Sequence, residues 1–389
     1  MNNSRDHRRI VQIAIEAFEP AVSGADLRNA AVFTALGGLG TVTSICLRPL
    51  LEEAGVRGRS RKLPPTILDV PNEISREVET RIRTLRPNLI VFEGVGTLKV
   101  AERIAAFARE AGIELVGDNH NVESRLIEEI DRAKWPRALG GVVEQVRGRR
   151  WRQARAADRA FLSLMSRVWV CSAEDAEHIA CLAPHAPQAE IVPNPVPDWC
   201  GEMGARDPSP ARPTMLFVGH LRYAPNIQAA LSLGNDILPL VRSRFPAMRL
   251  VLAGRSPRRA VRNMAARLSG IELVADPPDL RSLYADAVCA VIPLQQGGGT
   301  RIKVLEAFAC GLPVVATGKA VEGLAIRDRV HFLRAETPTQ FAAAIGEIVE
   351  SPPLAHNLAA RARVYVDECH SAAAIQRAVE AGLRAYPRL

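Results

Sequence analysis

The residues with the most chemistry in them lie between positions 291 and 316, VIPLQQGGGTRIKVLEAFACGLPVVA. Gly297, Gly298 and Gly299 separate an apolar run from a helical pattern that carries Thr300, Arg301, Lys303 and Glu306. A glycine turn between a strand and a helix lets backbone amides close on a phosphate, and the helix N-terminus favours negative charge there. Arg301 falls in the first turn, where a cation opposes the helix dipole by roughly a few tenths of a kcal/mol. A bound anion reverses that sign. At helical spacing Ile302, Leu305, Phe308 and Ala309 share one apolar arc with Glu306 at its edge. A carboxylate so placed must be exposed at a crevice or held by hydroxyls, because unpaired burial is costly. An anion cradle with a carboxylate about a turn and a half away suits a nucleoside diphosphate and its ribose. The same residues also suit a tight turn, a packed helix and solvated charges, and spacing alone does not separate the two readings.

Other polar residues gather at the ends of apolar runs. GDNHNVESRL, residues 117–126, places Asp118, His120, Asn121 and Glu123 together. His120 could bond a ligand hydroxyl with Asp118 orienting it, or Asn121 or Asp118 could simply cap a helix. Ser23, Gly24 and Arg28 follow the first apolar run and form a loop at the usual ligand edge of an open α/β sheet. Gly219 and Arg255 stand at the ends of two later runs, GHLR and GRSP.

The elements that must position these residues follow from the pattern. Strands are expected at 10–18, 41–47, 88–92, 113–117, 168–171, 191–192, 215–218 and 249–253. Helices are expected at 74–85, 98–111, 143–165, 225–244 and 258–268, with another ending near 36 and a short strand at 331–336. Such alternation implies an α/β fold with parallel sheets covered by helices on both faces. Residues 197–213, rich in Pro, Gly and small polar residues, read as a linker between a first domain, 1–196, and a second, 214–371. A length of 389 residues fits two domains of ordinary size.

Composition narrows the class. No apolar run reaches membrane-span length, and the polar N-terminus does not read as a signal peptide. The seven cysteines are dispersed without a CxxC pair, so reduced thiols in the cytoplasm are expected rather than disulfides or a zinc site. Cys289 and Cys310, in apolar runs, read as core. The net charge of +8 is local: residues 132–167 hold ten Arg or Lys against Glu144 and Asp158. Arg147, Arg149, Arg150, Trp151 and Arg152 lie on the helix expected there. Arg and Trp on one helix suit an anionic membrane surface, so a peripheral position on the inner face of the cell membrane is one expectation and a solvated outer helix the other. No nucleic-acid module surrounds the stretch, and no nucleic-acid partner is expected.

The segment 291–316 resembles the donor-binding signature of the family 4 glycosyltransferases, and D-x-HN-x-ES, FVGHLRYAPN, LVLAGRSP and the EGL turn at 322–324 resemble further segments of that family. The resemblance spans nearly the whole chain and is strongest from 215 to 324. It implies the GT-B arrangement: two Rossmann-like domains facing a cleft, with the last helix, from 372, crossing back to the first domain. It also implies a retaining transferase that takes a nucleotide-diphosphate sugar as donor and a glycan or lipid-linked acceptor, in bacterial polysaccharide or envelope glycan synthesis. Glu306 would then hold the ribose, while Arg301, Lys303 and Arg255 would neutralise the pyrophosphate and Gly297 to Thr300 would offer amides to sugar and phosphate. No DxD-type site is present, so neither metal nor cofactor is expected. One departure matters: many relatives carry a second glutamate eight positions before the first, where this chain has Gly298, a change shared by the triple-glycine subgroup. Rival readings on the same architecture are a nucleotide-sugar 2-epimerase and a non-catalytic nucleotide-binding scaffold of a polysaccharide assembly complex.

Overall fold

The computed structural model describes residues 8–17, 19, 23–56, 67–133, 140–203, 213–297 and 302–384. It divides into two units, Met1–Pro195 with Ala372–Leu389, and Val196–Ser371. The first contains β1 (Arg8–Ala14), α1 (Gly24–Gly37), β2 (Gly40–Cys46), α2 (Leu47–Glu53), α3 (Asn72–Leu85), β3 (Leu89–Glu93) and α4 (Leu98–Glu110). These are followed by β4 (Glu114–Asn119), α5 (Glu123–Ala133), α6 (Gly140–Leu164), β5 (Arg167–Val170), α7 (Ala173–Leu182) and β6 (Ala189–Ile191). The strands form one parallel sheet in the order β2-β1-β3-β4-β5-β6. Strands such as LIVFE and RVWV are buried along most of their length, as a sheet covered on both faces requires.

The second unit contains β7 (Thr214–Val218), α8 (Ala224–Ser232), α9 (Leu238–Arg244), β8 (Arg249–Gly254), α10 (Arg259–Arg267), β9 (Ile271–Ala275) and α11 (Arg281–Asp286). β10 (Cys289–Ile292), α12 (Ile302–Ala309), β11 (Val314–Ala316), β12 (Leu333–Arg334), α13 (Pro338–Glu350) and α14 (Pro352–Cys369) complete it. Its parallel sheet runs β9-β8-β7-β10-β11-β12, the doubly wound order, with the chain reversing direction between β7 and β10. The corresponding reversal in the first sheet lies between β1 and β3. The last helix, α15 (Ala372–Arg384), belongs to the first unit, where Ile375, Val379 and Leu383 pack with Ile10, Val32, Leu36 and Trp169.

Three elements differ from the sequence pattern for identifiable reasons. The helix expected at 225–244 is two helices joined by a π turn, Leu233–Ile237, just before Pro239, which has no N–H to continue the ladder. The start of the expected linker, Asp198–Glu202, is a 3-10 turn docked into the second core: Cys200 is buried, and the Trp199 ring lies 5.7 Å from that of Tyr284. Residues 23 and 24 are not loop. Ser23 caps α1, its hydroxyl accepting the Asp26 amide at 3.2 Å while its own amide donates to Asp26 at 2.8 Å, and Gly24 is the first helical residue.

Candidate functional site

At the reversal of the second sheet, Gly219 follows the last residue of β7 and Gly254 ends β8, and their backbones are in close approach. Gly254 has φ +146°, and a Cβ there would overlap the Gly219 carbonyl oxygen. Only a glycine allows that approach. A Cβ on Gly219 would in turn lie 2.8 Å from Nζ of Lys303, so that ammonium stands directly over the strand end. Lys303, in the first turn of α12, is held there by Asn226, whose Oδ1 accepts from Nζ at 2.6 Å and whose Nδ2 donates to the His220 carbonyl at 3.0 Å. The Phe217 ring lies 4.7 Å below the ammonium. A cation held by Asn226 and Phe217 over a glycine at a sheet reversal has the geometry that suits an anionic group.

Glu306 sits one turn along α12 from Lys303. Its Oε2 accepts the Tyr284 hydroxyl at 2.9 Å, and Tyr284 is itself buried against Trp199. Burial raises the Glu306 pKa, while the tyrosine hydrogen bond and Lys303 pull it back. The expectation from sequence, a carboxylate held by a hydroxyl, thus has a named partner. Gly297, at φ +121°, is buried at the end of the β10 loop. Gly298, Gly299, Thr300 and Arg301 lie outside the described residues. Arg255 is exposed beyond β8, near enough to His220 to lower its pKa, after the larger effect of burial.

In the first domain the predicted residues come together differently. Arg28 is on α1 rather than in a loop and is 1% exposed. Its guanidinium grips Asp118 at the end of β4, with Nη2 2.5 Å from Oδ1 and Nε 3.1 Å from both oxygens. Nη1 donates to the Val192 carbonyl at 2.6 Å and to Asn194 at 3.1 Å. Burial alone would lower the Arg28 pKa, and the adjacent Asp118 carboxylate more than reverses it. Asp118 is therefore a buried counter-ion that ties β4 to α1, and does not cap α5. That cap comes from α6, where Asp158 accepts the Ser124 amide at 2.9 Å.

His120 lies just beyond β4, with Nε2 3.8 Å from Asp118 and Nδ1 3.9 Å from Glu93. Burial pushes its pKa down to about 4, so the ring is neutral at physiological pH. Glu93, Asn226 and Tyr284 also take part in these constellations, and nothing in the local sequence marks Glu93 or Tyr284. Asn226 alone carries a signal, as part of the FVGHLRYAPN segment.

The basic helix requires a correction. Trp151 does not face outward: it is 2% exposed, packed with Ile127, Val143 and Ala154, and its indole N–H donates to Asp131 at 3.3 Å. Arg132 stacks over the same ring at 4.7 Å. Arg150 is paired with the same Asp131 at 3.2 Å and Arg155 with Glu128, because α5 lies against α6 and supplies an acidic face. Arg147 is half-buried. Arg149 and Arg152 are exposed, and so are Val142 and Val146 on the same helix. No helix among the described residues is long and apolar enough to cross a membrane.

Comparison with known proteins fits this geometry. Residues 212–351 match the family described as Glycosyl transferases group 1. A 116-residue stretch is 28% identical to the uncharacterized 44.6 kDa protein in the cps region of Klebsiella pneumoniae, and the match spans 30% of that relative's length. Among solved structures, HepE of Anabaena in complex with UDP and glucose superposes with a TM-score of 0.65 at 13% identity, covering 98% of this chain and 100% of that one. Sucrose-phosphate synthase of Thermosynechococcus elongatus gives 0.66 at 16% identity, covering 97% and 99%. These likenesses establish the two Rossmann-like domains of the GT-B fold. Residues 212–351 are thus similar to a group 1 glycosyltransferase domain, carried in a chain that has the GT-B fold.

Proposed function

We propose that the protein transfers a hexose from a nucleotide-diphosphate sugar to a glycan or lipid-linked acceptor, with retention of configuration. The observation that carries this reading is the brace around Lys303: Asn226 and Phe217 hold its ammonium over Gly219 while Glu306, oriented by Tyr284, follows one turn along the same helix. Lys303, with Arg301 and Arg255, would meet the pyrophosphate, whose negative charge grows as the sugar–oxygen bond breaks. The Glu306 carboxylate would accept the ribose hydroxyls. The acceptor hydroxyl attacks the anomeric carbon on the face that the diphosphate leaves and passes its proton to a phosphate oxygen. His120 would bond a hydroxyl of the sugar or acceptor. The UDP and glucose in the HepE complex favour a UDP-hexose donor, and the cps-region relative favours polysaccharide synthesis. The exposed face of α6, with Val142 and Val146 beside Arg149 and Arg152, suits attachment to anionic lipid at the cytoplasmic membrane surface.

A thermal-shift screen of UDP-, GDP- and ADP-sugars followed by product analysis tests this reading. One nucleotide sugar should raise the melting temperature, since ligand at 100 times its Kd adds about 2.7 kcal/mol. The same sugar should appear on an acceptor, and Glu306→Ala should abolish transfer with the fold intact. Near-normal turnover by Glu306→Ala would remove the role given to Glu306, and an epimerised sugar formed without acceptor would replace transfer by epimerisation.

A further inference from the structure

Glu93 closes β3 at the point where the first sheet reverses between β1 and β3, and ligands of open parallel sheets lie outside the strand ends at such points. Its register partner on β4 is Asp118, so the two carboxylates leave the sheet on one face, toward α1. Asp118 is committed to Arg28. Glu93 is held differently: Oε2 accepts the Ile15 amide at 2.7 Å, the Asn29 side chain also bonds the carboxylate, and Oε1 faces Nδ1 of His120 at 3.9 Å. The imidazole thus stands between two carboxylates. Its Nε2 is buried without a hydrogen-bond partner among the described residues, although a buried polar nitrogen ordinarily has one. A nitrogen left in that condition at a sheet reversal is available to a ligand hydroxyl.

We propose that Glu93 is a positioning residue that sets which ring nitrogen of His120 carries the proton, and so whether Nε2 accepts from or donates to a sugar hydroxyl. The ligand named here rests on the glycosyltransferase reading above. With Glu93 ionised, Oε1 accepts the Nδ1 proton and Nε2 offers a lone pair. One proton taken from solvent converts the pair to a neutral carboxyl donating to Nδ1, with the hydrogen now on Nε2. No other bond changes. The 3.9 Å gap is longer than a hydrogen bond, and such contacts commonly tighten only when the ligand is bound.

The electrostatics support this exchange near neutrality. Burial raises Glu93 to about 7, Asp118 and Asp26 add to the rise, and the Ile15 amide and Asn29 oppose it. The groups facing the pair are Asp26 and Arg28 from α1, Asp118 from β4, and Cys46 from β2, whose thiol is raised by burial and then by Glu93 and Glu16. Glu16 is paired with Arg48 at 2.9 Å.

The test is a nitrogen NMR titration of His120 in the full-length protein between about pH 5.5 and 8.5, with Glu93→Gln as the variant and His120→Asn to assign the signals. The Nδ1 and Nε2 shifts should exchange between tautomers with a midpoint near pH 7. In Glu93→Gln, which keeps an oxygen for the Ile15 amide, one tautomer should persist throughout. A wild-type spectrum that does not change over this range, or an exchange that survives in Glu93→Gln, overturns the proposal, and the wild-type titration does not depend on any variant folding. In turnover, Glu93→Gln should lose the pH dependence of kcat around 7 while the donor KM stays unchanged. Tautomer exchange in a protein that transfers no sugar would uphold the role of Glu93 and remove the glycosyltransferase reading instead.

Discussion

Replacing Asp118 by Asn keeps the shape of the β4 end and removes one charge. Arg28 is 1% exposed, so its guanidinium would be left with only the Val192 carbonyl and neutral amides for company. Breaking a buried ion pair by removing one partner costs about 3–5 kcal/mol, because the remaining charge is uncompensated. For a domain of this size, about 2–4 °C per kcal/mol converts that loss to a fall of roughly 10 °C in the melting temperature. Arg28→Met should cost at least as much, since it strands the Asp118 carboxylate and also leaves the Val192 carbonyl without its donor, worth about 1–3 kcal/mol. The double variant Arg28→Met/Asp118→Leu removes both charges and should be more stable than either single variant, with coupling of about 2 kcal/mol or more. Urea unfolding of the full chain, followed by hydrogen exchange in peptides covering β4, isolates the first domain, and peptides from β10 serve as the internal control. An Asp118→Asn protein within about 1 kcal/mol of wild type, or a double variant no more stable than the worse single one, would refute the view of this pair as a structural tie.

Gly254→Ala should disrupt the approach to Gly219 and lower nucleotide affinity at least tenfold by calorimetry, about 1.4 kcal/mol; unchanged affinity would show that the two strand ends need not touch. Tyr284→Phe removes the hydroxyl on Glu306 and should cost about 1–3 kcal/mol of stability and raise the donor KM more than it lowers kcat. Neutralising Arg149 and Arg152 should abolish flotation with anionic vesicles, whereas neutralising Arg150, already paired with Asp131, should have little effect; equal effects would argue against a specific α6 face.

Much of the architecture could be read from the chain because it depends on local pattern. Apolar runs of strand length alternate with helical periodicity, and neither sheet order contradicts what that alternation implies. The site was legible only where a residue belongs to a contiguous motif, as Lys303 and Glu306 do. Glu93 falls just past the strand expected at 88–92, and Tyr284 in a stretch where the pattern predicts no element. Their parts arise from what tertiary packing brings alongside, Asn29 and His120 in one case and Glu306 in the other. Trp151 shows the same limit from the other side. Composition marks it as interfacial, but the acidic face of α5 supplies Asp131 for its N–H and a wall for its ring, and α5 does not stand out as a separate helix in the sequence. Asp118 and His120, two residues apart in one motif, likewise part company: one neutralises Arg28, the other is a neutral ring beside Glu93.

The docking of α15 on the first domain has a consequence for synthesis. Ile375, Val379 and Leu383 cover the face of the sheet that carries Ile10, Val91 and Trp169, yet they are made after the entire second domain. At about 5–20 residues per second, the roughly 190 residues between β6 and the end of α15 take about 10–40 s to emerge, during which α1 covers that apolar face without the α15 residues. The second domain, contiguous in sequence, can fold while its neighbour waits. Trimming the chain back to residue 371 should therefore make the first domain aggregate while sparing the second.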